Sequence, residues 1–191
     1  MGFRVLAGYD PGAFHGGIGH AALRKFRHPR PNNGNATGRI LTTTMTTPPD
    51  RPRPLPRSAY RVYRSITTRW MDNDVYGHVN NVVYYSWFDT AVNAWLIEHG
   101  VLDMHGGDII GLVIETHCNY FSPLAFPKSV EAGIRVTNLG NSSVRYEVGL
   151  FGEGEEFAAA QGHFVHVYVE RHTRRPSPLP AALRKALETL T

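Results

Sequence analysis

Cysteine is nearly absent: Cys118 is the only one in 191 residues. That excludes an intrachain disulfide and leaves no thiolate cluster to hold a metal, and a reducing, cytoplasmic location fits it. No apolar run approaches the ~18 consecutive residues a membrane-crossing helix needs, so no membrane partner is expected. The Gly-x-Ser-x-Gly nucleophile elbow is missing, and the chain after Arg57 leaves little room for the α/β-hydrolase fold that carries it. Gly12 to Gly19 fits neither a P-loop nor a dinucleotide fingerprint. Met1 to Ala22 lacks the unbroken apolar core of a signal peptide. Basic charge is also scarce outside the N-terminal stretch. Residues 1–44 hold six Lys/Arg against Asp10 alone, a net of +5, while the rest hold 14 basic and 15 acidic groups, a net of −1. The basic balance belongs to the leader, and no nucleic-acid partner is expected.

Residues 1–57 read as a disordered or dispensable leader with a Pro-rich linker. His28 to Gly38 has turn formers and little to bury, and Thr47 to Pro56 holds five prolines, favouring an extended segment. Met45 is an alternative start. The character changes at Tyr60, and residues 58–191 read as one domain. Tyr60 to Trp70 has high β-propensity, with Tyr60, Val62, Arg64, Ile66, Thr68 and Trp70 on one face and Arg64 spoiling the pattern. A helix is expected from about Asn81 to His99, about 28 Å long. It places Tyr84, Phe88, Ala91 and Trp95 on one apolar stripe, with Asn80-Asn81 at its cap and Gly100 just past its end. Four strands follow, over Ile109–Phe121, Lys128–Asn138, Ser142–Phe151 and Glu156–Glu170, with Leu139-Gly140-Asn141 as a hairpin connection. A short helix over Leu179–Leu190 closes the chain, with Pro180 in its first turn. Consecutive strands with short connections predict an α+β fold, an antiparallel sheet of about five strands with the long helix on one face. The other face or an edge is then free for a second subunit.

The segment Asp72-x-Asp74-x-x-Gly77-His78-Val79-Asn80-Asn81, leading into Tyr84-Tyr85, resembles the hotdog-fold acyl-CoA thioesterases of the 4-hydroxybenzoyl-CoA thioesterase-like superfamily. Tyr120-Phe-Ser-Pro-Leu124 and Val136-Thr-Asn-Leu-Gly140 support the resemblance, which covers about Tyr60 to Thr173. It implies a single hotdog domain, one long central helix wrapped by a curved antiparallel sheet, and pairing of subunits as a homodimer or homotetramer. It implies Asp74 as the catalytic carboxylate and a backbone N–H at the start of the helix, that of Asn81, polarising the thioester carbonyl. Gly77 and Tyr84 would border the substrate. Ser142, Ser143 and Arg145 resemble the region that contacts coenzyme A, with an ordinary polar hairpin tip as the alternative. The run Val75-Tyr-Gly-His78 differs from the Pro-Ala-Gly-Ile run of the aromatic-substrate type and is closer to relatives that take fatty acyl chains.

Hydrolysis of a thioester needs an attacking group and a place for charge on the carbonyl oxygen. Asp74 can be the first, as nucleophile or as general base on water, and the helix N-terminus the second. Asp74 could instead only close its loop. His78 could orient substrate or water, or hold the turn at Gly77. Asp72 is expected to order the loop. Asp89 could meet a partner subunit, line an acyl pocket or simply be solvated, and Cys118 reads as core. His163 and His166, three apart on a strand, point to opposite faces and cannot share a metal. Glu115 and His117 share a face without an evident third ligand, so no metal and no cofactor is expected, coenzyme A being part of the substrate. Two other functions stay open: a hotdog hydratase or dehydratase using Asp74 and His78, and an acyl-CoA-binding hotdog without turnover.

Overall fold

The computed structural model describes residues 51–191. Residues 1–50, most of the stretch read as leader and linker, lie outside the described residues. The end of that stretch is bonded to the domain: the Leu55 N–H donates to Gln161 Oε1 at 3.0 Å and the Arg57 N–H to the Glu156 carbonyl at 2.9 Å.

In chain order the elements are a 3-10 turn (Arg57–Ala59), β1 (Val62–Ile66), a second 3-10 turn (Trp70–Asp72), α1 (Asn81–Glu98), β2 (Ile109–Tyr120), β3 (Val130–Leu139), β4 (Ser143–Gly152), β5 (Ala160–Glu170) and α2 (Ala181–Glu188). The strands form one five-stranded sheet in the order β1-β3-β4-β5-β2, antiparallel throughout. This is the expected α+β arrangement.

Both ends of α1 are set by local chemistry. Asn80 is its N-cap, with a side chain that accepts the Val82 N–H at 3.2 Å. At the other end Gly100, at φ +64°, donates to the Ile97 carbonyl, and Val101 donates to the Leu96 carbonyl. That pair of bonds is a Schellman stop, and its left-handed position suits glycine. Between the caps, Tyr84, Trp87, Phe88, Ala91, Val92, Trp95 and Leu96 are buried. They pack on Ile134, Tyr146, Val148, Phe164 and Tyr168 of the sheet's inner face. Each large apolar side chain so buried contributes about 1.5–3 kcal/mol.

Helix and sheet pack tightly at Gly162 of β5. A Cβ there would stand 2.5 Å from the Phe88 ring and 2.2 Å from the His117 carbonyl oxygen. Gly162→Ala is therefore expected to cost about 3 kcal/mol, because the obstructing carbonyl belongs to the paired strand and cannot rotate away. The check is a thermal melt, with a midpoint on the order of 10 °C lower. A midpoint unchanged from wild type would contradict the close approach.

Three details differ from expectation. The first strand is shorter, because 3-10 turns precede and follow it. Tyr60 consequently leaves the inner face and packs with Phe151 and Ala158 on the other side of the sheet. Trp70 leaves it too and is 79% exposed. Arg64 does stay on the helix side, where it pairs with Glu98 at the end of α1. Pro180 is the N-cap of α2, one place before its first turn.

Among the described residues β2 pairs only with β5, so no described strand covers its other edge. The edge exposes Leu112, Val113 and Ile114, the last at 64%, beside a bulge between Val113 and Glu115. An open, apolar edge of this kind is a template for pairing with another chain. Among the described residues no helix is long and apolar enough to cross a membrane.

Candidate active site

The connection from β1 to α1 is held by its own residues. Asp72 is 1% exposed. Its Oδ2 accepts the Arg69 N–H at 2.7 Å, and its Oδ1 accepts the Arg69 guanidinium at 2.8 Å. Its backbone carbonyl accepts the Asn80 N–H at 2.8 Å, which ties the start of the loop to the helix cap. Between these anchors lies a small hairpin. Asn73 bridges Val79, and the Asp74 N–H donates to the His78 carbonyl at 2.8 Å. Gly77, at φ +79°, makes the reversal, and the Asp74 carbonyl accepts its N–H. Two bonds fasten the hairpin to the far side of the site. Val79 donates to the Leu124 carbonyl at 2.8 Å, and Asn73 Oδ1 accepts the Phe126 N–H at 3.1 Å.

Asp74 is therefore held at its backbone while its carboxylate stays half-exposed. Oδ1 accepts the Tyr76 N–H at 2.8 Å, and Oδ2 has no partner among the described residues. Asp72 has the loop-ordering part expected of it. Asn81 opens α1, and its N–H has no partner among the described residues, since the cap oxygen of Asn80 is spent on Val82. Unpaired N–H groups and about half a positive charge of helix dipole make such a terminus an anion-binding place.

Tyr84 is 3% exposed and packs edge-on against Tyr120, ring centroids 5.0 Å apart. Burial pushes its phenol above the ordinary value, the Leu124 backbone pulls it back, and the charge of Asp74 adds to the rise. Tyr120, at the end of β2, donates its hydroxyl to the Asn81 carbonyl at 3.2 Å, joining the strand end to the helix start. Burial also pushes up the Tyr120 phenol, and the Cys118 thiol to about 11. Nothing in the sequence pattern singled out Tyr120 for this role; only the curl of β2 back to the helix start does so. Gly77 and His78 line a cavity of about 330 Å³ with Ser122, Leu124, Lys128 and Glu155. His78 is exposed, its ring free to face that space.

Asp74, Gly77, His78, Asn81 and Tyr84 thus gather at one end of the sheet. Ser142, Ser143 and Arg145 do not join them within one chain. The β3–β4 hairpin lies at the opposite end, where the Ser142 carbonyl accepts the Tyr168 N–H and the Asn141 carbonyl accepts the Leu179 N–H. Leu150, level with the helix start, is about 23 Å along β4 from Ser143. Arg145 lies on the outer face of the sheet. Its guanidinium is 3.0 Å from His163 Nδ1 and 3.5 Å from Glu115 Oε1, and His163 Nε2 is 2.7 Å from the same carboxylate oxygen. His163 is the neighbour of Glu115 that sequence spacing missed, because only the β2–β5 register, His117 opposite His163, brings it there. His166 faces the other way, into the core, as its spacing from His163 required.

Comparison with known proteins agrees with this architecture. A family model described as the thioesterase-like superfamily matches residues 68–187. The PA5185 protein of Pseudomonas aeruginosa strain PAO1 is 57% identical, with a TM-score of 0.70 over 73% of this chain and 97% of that one. A thioesterase from Thermus thermophilus, solved with coenzyme A and zinc, is 32% identical, with a TM-score of 0.58 over 69% of this chain and 95% of that one. A 1,4-dihydroxy-2-naphthoyl-CoA thioesterase from Synechocystis is 16% identical, with a TM-score of 0.61 over 65% and 93%, and at that identity speaks for the fold alone. No curated protein matches the chain.

Proposed function

The chain belongs to the thioesterase-like superfamily, and from that premise we propose that it hydrolyses an acyl-CoA thioester to free acid and coenzyme A. Asp74 attacks the carbonyl or activates water, and the Asn81 N–H with the dipole of α1 holds the developing oxyanion. The observation that carries this is the tether at the helix start. Asp72 and Asn80 are bonded to each other, so the hairpin that bears Asp74 is anchored beside an unpaired helix-terminal N–H. Gly77 and His78 border the cavity in which the thioester would sit, Tyr84 is bonded to the backbone of its wall residue Leu124, and His78 orients substrate or water. The chemistry calls for no cofactor, and the enzyme works in the cytoplasm.

A second copy of this chain completes the site as a homodimer or homotetramer. Two features support it: the open apolar edge of β2, and the distance within one chain between Asp74 and the Ser142, Ser143 and Arg145 group. A partner's hairpin can supply those residues to bind coenzyme A where the chain's own cannot reach. Ile114→Lys places a charge on that edge, the device by which edge strands avoid pairing. It is expected to yield monomers by analytical ultracentrifugation, with activity lost alongside. An assembly of unchanged mass would move the interface elsewhere.

Thiol release from a panel of short, long and aromatic acyl-CoA esters tests the activity. Release names the substrate class. Addition of water to an enoyl-CoA without release would support the hydratase, and tight binding that protects the ester would support a carrier.

A further inference from the structure

The N–H proposed to hold the oxyanion belongs to the first residue of a helix, and helix ends are where backbone order is lowest. Two local bonds brace the first turn of α1. The Asn80 carbonyl accepts the Val83 N–H at 2.9 Å, and the Asn80 side chain accepts the Val82 N–H at 3.2 Å. Both are made within four residues, so they open together when that turn frays. A third bond has a different origin. The Tyr120 hydroxyl donates to the Asn81 carbonyl at 3.2 Å, from a strand 39 residues further along the chain.

Tyr120 offers that hydroxyl from a fixed base. It is the last residue of β2 and stands opposite Ala160 of β5. The next two N–H groups, of Phe121 and Ser122, both donate to the Ala159 carbonyl, at 2.8 and 3.0 Å. Its ring packs edge-on against Tyr84, centroids 5.0 Å apart. Burial, then the neighbouring Cys118 and Tyr85 side chains, push the phenol up, so it is an O–H donor at neutral pH. The Asn81 Cα thus sits between two held peptide planes. The one before it is fixed by the Val83 bond, and the one after it by the Val82 cap and Tyr120. With both planes held, the Asn81 N–H cannot turn away from the site.

We propose that Tyr120 is a positioning residue for hydrolysis: its hydroxyl keeps Asn81 helical, so that the N–H is aimed at the thioester carbonyl oxygen before substrate arrives. The proposal rests on the thioesterase reading. A donor stabilises an oxyanion most when it needs no reorganisation during the reaction. A misplacement of about 1 Å can cost about 10²-fold in rate. Tyr120 acts through Asn81 and touches no reacting atom.

Tyr120→Phe removes the hydroxyl and keeps the ring that packs on Tyr84. On the best ester of the panel, kcat should fall about 10- to 100-fold, with KM within about twofold and the melting temperature nearly unchanged. The order parameter of the Asn81 amide, read by nuclear magnetic resonance, should drop from the rigid range near about 0.85 to below about 0.6. In an Asn81→Pro background no N–H remains to be aimed, so Tyr120→Phe should lower the rate no further. A hydroxyl that acts on anything else would cost the same factor in both backgrounds. That equal cost would overturn the proposal, as would a wild-type kcat or an unchanged order parameter in Tyr120→Phe. If wild type releases thiol from no ester, hydrolysis fails as the function, and the order parameter alone decides the tether. An Asn81 amide that loosens in Tyr120→Phe would uphold it, and one equally ordered in both proteins would overturn it.

Discussion

Asp74→Asn is expected to lower thioester hydrolysis by about 10²–10⁴-fold while the protein remains folded and oligomeric. The substitution keeps the shape of the side chain. Its amide oxygen can still accept the Tyr76 N–H that Asp74 Oδ1 now accepts at 2.8 Å. The backbone bonds of the hairpin, from Asp74 to His78 and from Gly77 to Asp74, do not involve the side chain at all. What is lost is the negative charge and with it the ability to attack or to take a proton. A loop-closing carboxylate predicts the opposite pattern, a nearly normal rate with a lowered melting temperature. Rate and melt measured on the same preparation separate the two. Asp72→Asn is the natural companion. Its carboxylate is buried against Arg69, so the main loss there should be in stability.

Much of this was legible before the structure because the relevant signals are local. The Asn80 cap, the apolar stripe from Tyr84 to Trp95 and the stop at Gly100 define α1 from neighbouring residues alone, and its bounds agree with expectation to within a residue. The later strands were legible for the same reason, turn formers standing between β-prone runs. β1 was overextended because alternation continues through Tyr60 and Trp70, whereas 3-10 turns on either side take those residues off its face. Long-range features were not legible. Gly162 reads as an indifferent strand glycine until Phe88 is seen above it. Glu115 gains His163 only through the register of two strands far apart in sequence. Ser142, Ser143 and Arg145 are separated from Asp74 by the direction in which β4 runs, which composition does not encode. The carboxylate in the site came from family resemblance. Its residues alone favoured loop closure.

The other half of the proposed chemistry is a backbone group, which ordinary side-chain substitution leaves in place. Asn81 offers a way to remove it. It is the first residue of α1, where proline is tolerated because its ring suits helical φ and the N–H there has no helical partner. The preceding residue is equally compatible. Asn80 has φ −60° and ψ 138°, the extended conformation that a residue before proline prefers. The cap bond from Asn80 Oδ1 to the Val82 N–H is untouched. The Tyr120 hydroxyl keeps its acceptor, because the Asn81 carbonyl remains. Asn81→Pro thus deletes one hydrogen-bond donor from a helix end that should otherwise form as before.

Steady-state thiol release by wild type and Asn81→Pro, on the best ester of the panel and with melting curves for both, tests the central claim most directly. If the helix start holds the oxyanion, kcat should fall by about 10²–10³-fold with the melting temperature nearly unchanged. A folded Asn81→Pro protein that releases thiol at the wild-type rate would contradict it.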